Sequence, residues 1–189
     1  MKTKSLLLVL FCCSIIGVNA QGLYKPGKVT KGEKAGYYCQ NYEGSNIVVS
    51  LRNVEVKDTI EDLYYKNGKK VDWFEIENLG SVNRYKQSEL VNAFKSILTS
   101  AELTAIQKSK TKGSFFLVIH FRVDERGNTK EILHFVFRNT DPVLMKMSPD
   151  RLFLLEQKLK PILKVIPPQR IGELKSYNCV ASLGYRTDF

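Results

Sequence analysis

Apolar positions along the chain repeat with two different periods. From Ile47, the order Ile47, Val49, Leu51 and then Val54, Val56 alternates as a half-buried strand does, with a break at Arg52-Asn53 that reads as a bulge. Leu63-Tyr64-Tyr65-Lys66 and the run from Lys70 to Ile76 flank Asn67-Gly68, a pair suited to a tight hairpin because both residues tolerate positive φ. These segments predict a small antiparallel unit of about three strands.

At Ser88 the period lengthens. Leu90, Val91, Phe94, Ile97 and Leu98 fall on one helical face, with Ser88 at the N-cap. Thr99-Ser100-Ala101-Glu102 has the form of a capping box and opens a second short helix through Gln107. The polar stretch 108–113 reads as a connector. Phe115 to Val123 and Thr129 to Phe137 are strand-like, and Asp124-Glu125-Arg126-Gly127-Asn128 between them is turn chemistry. Ser148-Pro149 starts a helix with serine as cap and proline in the first turn; Leu152, Leu155, Leu159 and Leu163 are its buried face, and Pro161 ends it near Lys160. Tyr177 to Tyr185 is the closing strand. The fold class is therefore α+β: a small N-terminal antiparallel β-unit and two short helices over 37–112, then a β-β-α-β domain over 113–189.

The first twenty residues belong to neither part. Lys2 and Lys4 precede the apolar run from Leu6 to Ile16, and Val18-Asn19-Ala20 satisfies the small-residue rule for signal peptidase, so 1–20 reads as a cleavable secretory leader. As an uncleaved anchor the run would be short, since a membrane core needs roughly 20 helical residues. Lipid attachment at Cys12 or Cys13 would want a small residue before the cysteine, and Phe11 and Cys12 stand there. Residues 21–36, rich in Gly and Lys, read as a flexible basic arm. The expected location is periplasmic or extracellular, with no transmembrane span after cleavage.

Export changes what the remaining composition means. The formal charge of +10 falls to +8 without Lys2 and Lys4, and the excess is scattered, as on a solvated surface. Attraction to anionic envelope components is the alternative, and no nucleic-acid module is visible. Cys39 and Cys179 are the two cysteines left, and an even pair in an oxidising compartment reads as a disulfide, with two separately buried thiols as the other reading.

The stretch from Ser114 to about Arg186 resembles the C-terminal domain of TonB-type energy transducers. The matching pieces are Phe121-Arg122-Val123-Asp124-Glu125-Arg126-Gly127, the strand from Ile132, the helix Leu152 to Lys164, Ile166-Pro167-Pro168, and Tyr177 to Tyr185. That resemblance implies a domain that binds a short extended peptide by strand addition. The membrane helix and Pro-rich spacer of a working transducer are missing from the pattern, so the resemblance is to the fold and not to force transduction. Leader and layout together also resemble exported proteins of Bacteroidota-type bacteria. If the closing strand is a sheet edge, Tyr177, Cys179, Ala181, Leu183 and Tyr185 are the candidate partner-binding positions.

Catalytic chemistry finds little support. His120 and His134 sit one in each strand of the hairpin, and with Val123 opposite Thr129 they would be diagonal neighbours on one face; a metal site needs a third ligand, and none is evident. A thiol nucleophile would need Cys39 or Cys179 beside a histidine. Asp72, Glu75 and Glu77 around Trp73 could form a glycosidase pair, yet strand surfaces carry such carboxylates routinely. Gly27-x4-Gly32 lacks the lysine and hydroxyl of a phosphate loop. Tyr37, Tyr38, Tyr42, Tyr64, Tyr65, Trp73 and Phe74 suit a small sheet's core, or a sugar- or peptide-binding face. The reading is an exported, non-catalytic protein that binds a protein or peptide partner, without metal or cofactor. A carbohydrate- or envelope-binding module is the first alternative and a secreted hydrolase the second.

Overall fold

The computed structural model describes residues 22–42, 44–57, 66–69, 82–166 and 176–184, with the backbone alone at 82–83 and 176–180. The leader, most of the residues around Asn67-Gly68, and Tyr185 lie outside them.

Eight strands and three α-helices are described: β1 Lys28–Lys31, β2 Gly36–Asn41, β3 Val48–Asn53, β4 Val82–Asn83, α1 Gln87–Lys95, α2 Ser100–Thr111, β5 Phe116–Asp124, β6 Thr129–Arg138, α3 Pro149–Leu159, β7 Val165–Ile166 and β8 Ser176–Gly184. A single 3-10 turn, Leu144–Lys146, precedes α3. Six strands form one sheet in the order β1-β2-β3-β6-β5-β8, while β4 and β7 make a separate short pair. Every pairing is antiparallel. The class is α+β. No described helix is long and apolar enough to cross a membrane.

The hairpin β5–β6 is where the sequence pattern is cleanest. Leu117, Ile119, Phe121 and Val123 alternate onto one face and are fully buried, as period-two patterning requires. The turn between the strands is closed by Asp124, whose Oδ1 accepts the N–H groups of Arg126 and Asn128, both at 2.9 Å; Gly127 supplies the positive φ of 79°. Leu152, Leu155 and Leu159 of α3 join the same core. Ser148 caps α3 and Pro149 occupies its first turn; the helix ends at Leu159, before Pro161.

Three expectations need correction. The strand expected from Ile47 is not confined to a small N-terminal unit, because β3 pairs with β6 of the C-terminal part. Residues 21–36 are not a loose arm where they are described: 28–31 form β1, and Tyr24 is 1% exposed, its hydroxyl donating to the Met147 carbonyl at 2.8 Å. Asp150 completes that anchorage by accepting the N–H groups of Glu33 and Lys34 at 3.1 and 2.7 Å. Helix boundaries also move. The N-cap of α1 is Lys86, whose N–H donates to Glu89, so Ser88 lies inside the helix. Helix α2 starts with the expected capping box at Thr99 and Glu102, but it runs through the supposed connector to Thr111, and Gly113, at φ 66°, follows its end.

A polar knot ties sheet to helix inside the core. The Tyr37 hydroxyl donates to Glu156 Oε1 at 2.6 Å, and Asn53 Nδ2 donates to Oε2 at 3.2 Å. Burial raises the pKa of Glu156 above its ordinary value, and the two donors oppose that rise.

Candidate functional site

His120 and His134 are directly opposite each other rather than diagonal, with ring centroids 6.1 Å apart and planes nearly perpendicular. The cause is local. Val123 does pair with Thr129, but two irregularities follow, one between Arg122 and Val123 and one between His120 and Phe121. Each inserts one residue into β6, and two insertions together restore face parity while moving the register by two. Ser50 Oγ lies 3.0 Å from His134 Nδ1, and the ring of Tyr42 lies 6.4 Å from that of His120. Burial, with the neighbouring His134, holds His120 below the usual imidazole pKa.

Among the described residues no three His, Cys, Asp or Glu side chains come together to hold a metal. Ser50 beside an imidazole is half of a nucleophile–base arrangement, but the serine itself is buried, at 2% exposed.

The sheet separates Cys39 from the histidines. Cys39 points to the helix-covered face with Tyr37, opposite to the histidines, and burial pushes its pKa up to about 11. The disulfide with Cys179 is not formed, since Cys39 is a free, buried cysteine. Register explains why. Cys39 aligns through Leu51, Phe135 and Ile119 with Ala181, and Cys179 is two residues further along β8. Four strand spacings of about 4.8 Å separate the two strands, or about 19 Å across the sheet, and a disulfide needs Cα atoms within about 7 Å. Asp72, Glu75, Glu77, Tyr64, Tyr65, Trp73 and Phe74 all lie outside the described residues. Of the aromatics that are described, Tyr37 is core, Tyr38 lies under the Arg52 guanidinium at 5.9 Å, and Tyr42 is exposed.

The closing strand is the feature that remains. Among the described residues β8 pairs with β5 alone, so it is the last described strand on that side of the sheet, as β1 is on the other. The two edges differ in chemistry. β1 has four residues with lysine at both ends, the usual protection of an exposed edge. β8 has nine residues, Ser-Tyr-Asn-Cys-Val-Ala-Ser-Leu-Gly, and no charge. Its register with β5 is regular from Ser176 to Gly184.

One contact shows which residues of β8 face outward. Gln87, the first residue of α1, donates its side-chain Nε2–H to the Ser182 carbonyl at 3.0 Å. In an antiparallel ladder the N–H and C=O of one residue face the same side, and successive residues alternate. A Ser182 carbonyl taken up from outside the sheet therefore puts the polar groups of Val180 and Asn178 on the open edge too. Of the expected positions, Tyr177, Cys179, Ala181 and Leu183 have the opposite parity, so their backbone groups face β5; Ala181 and Leu183 also bury their side chains in the core. The Gln87 contact, and not the sequence pattern, sets the parity of this strand. Gln87 carries no motif that would have identified it.

No family model matches the chain, and no curated protein matches it. Among solved structures it is similar to a DUF5043 family protein from Bacteroides uniformis, with a TM-score of 0.64 and 20% identity over 90% of this chain and 92% of that one. At that identity the likeness is one of fold.

Proposed function

We propose that this chain is an exported, non-catalytic binding protein of the bacterial cell envelope, which takes an extended segment of a protein partner along the open edge of β8. The observation that carries the reading is a nine-residue, uncharged strand at the end of a six-stranded sheet. Backbone donors and acceptors on such an edge bind another strand whatever its side chains, and pockets beside them select the sequence. The order β5, β6, α3, β8, interrupted only by the two-residue β7, supports the TonB-like resemblance of this region, in which peptide capture is by strand addition. The leader supports export, with processing after Ala20, and intact-mass measurement of secreted protein should find Gln21 at the N-terminus.

Selection from a phage-displayed library of random peptides about ten residues long tests the binding. Recovered peptides should lose binding to Val180→Pro, which removes an outward N–H and spares the ladder to β5. Circular dichroism should show the fold intact. Peptides that bind Val180→Pro as well as the parent protein, or a library that yields nothing while glycans bind, would overturn the proposal.

A further inference from the structure

We infer that Gln87 is a built-in stand-in for the partner strand: its side-chain amide occupies the β8 edge in the free protein and is displaced when the partner binds. The inference rests on the strand-addition reading above and assigns to it the residue that regulates access. A side-chain primary amide offers the same kinds of donor and acceptor, an N–H and a C=O, as a backbone peptide. Its N–H, 3.0 Å from the Ser182 carbonyl, sits where an incoming strand would put its own N–H.

Position supports the role. Gln87 begins α1, a helix whose next turn buries Leu90, Val91 and Phe94 in the core, so the amide is held beside the edge by a packed element. Lys86 and Glu89 close the helix start around it, leaving the exposed glutamine side chain to reach β8. The need for a guard is equally local. β8 lacks the lysines that protect β1, and an uncharged edge of this length would otherwise pair with other copies of the chain. One weak, exchangeable hydrogen bond blocks casual pairing at Ser182 but yields to a strand that supplies several. Strand addition then has a defined register: a partner N–H must replace Gln87 at Ser182 and further groups must reach Val180 and Asn178.

Gln87→Met tests this, because methionine keeps the length and helix propensity of glutamine and lacks the donor. The probe is a fluorescein-labelled peptide recovered from the phage library, titrated by anisotropy against the parent protein, Gln87→Met and Val180→Pro. Relief of one net hydrogen bond should tighten binding to Gln87→Met by about 2- to 12-fold. In the parent protein the Gln87 side-chain NH2 resonances should shift on saturation with peptide. Unchanged or weaker binding to Gln87→Met, with Val180→Pro still abolishing it, would overturn the guard and leave strand addition standing. Equal binding by all three proteins, or no peptide recovered, would overturn both.

Discussion

Replacing Tyr37 by phenylalanine removes one hydroxyl from the core and leaves its volume unchanged. In the parent protein each oxygen of the Glu156 carboxylate has one donor: Tyr37 at 2.6 Å and Asn53 at 3.2 Å. Asn53 cannot rotate to compensate without cost, because its Oδ1 accepts the Glu55 N–H at 3.1 Å. Without Tyr37, Oε1 is left in a site where Glu156 is 2% exposed. Hydrogen bonds to charged groups contribute about 1.5–3 kcal/mol, so Tyr37→Phe should lose about 2–3 kcal/mol at pH 8. For a chain of this size that is a fall of about 4–12 °C in Tm. The sign with pH follows from Glu156. Burial raises its folded pKa above the unfolded value of 4.5, so its contribution to stability is fully present below about pH 4.5 and lost as pH rises through the folded pKa. Tyr37→Phe removes a donor to the ionised form and raises that pKa further, so its cost should shrink as pH falls and the carboxyl takes up its proton. Glu156→Gln can donate to the Tyr37 oxygen and accept from Asn53, and should cost under about 1 kcal/mol with the pH dependence gone. Urea unfolding at pH 5 and pH 8 measures all three proteins. A Tyr37→Phe cost under about 0.5 kcal/mol at pH 8, or the same cost at both pH values, would show that the hydroxyl does not serve the ionised carboxylate.

Other contacts give independent tests. His120 has a folded pKa below its unfolded 6.5, so stability should fall as pH drops below about 6.5, and His120→Gln should flatten that slope in urea titrations. The Arg151 guanidinium grips both oxygens of Glu102 at 2.7 Å, also donates to the Ile97 carbonyl, and holds Glu102 at about 2. Its contribution is present above about pH 4.5 and lost as pH falls towards 2; allowing for partial exposure, Arg151→Met should cost about 1–2 kcal/mol at pH 7 and less at pH 3. Cys39 should resist iodoacetamide in native protein at pH 8 and be labelled after unfolding without reductant; a requirement for reductant would restore the disulfide.

What the sequence made legible was local. The alternation of Leu117 to Val123, the Asp124 turn and the capped leucine face of α3 are each written within a few residues, and each forms as expected. Pairing across the chain is not written locally: nothing in Val48–Asn53 names β6 as its neighbour. The stretch around Lys28–Lys31 looked like an arm because an edge strand with polar residues carries no apolar run, and the anchorage of its region falls to single residues, Tyr24 and Asp150. Two one-residue insertions in β6 defeated the register, and with it the placement of His134. Parity on β8 depended on a contact from a residue 95 positions away, Gln87, which no pattern connects to Ser182.

Per-residue amide exchange along β8, read by NMR with and without a library-selected peptide, shows whether a partner strand adds to this edge. In the free protein Asn178 and Val180 N–H should exchange fast and Cys179, Ala181 and Leu183 N–H slowly, since the second group faces β5. Peptide should slow Asn178, Val180 and Ser182 and leave the others unchanged. Uniform protection along β8 in the free protein, or no slowing at Val180 when peptide is bound, would rule out strand addition at β8.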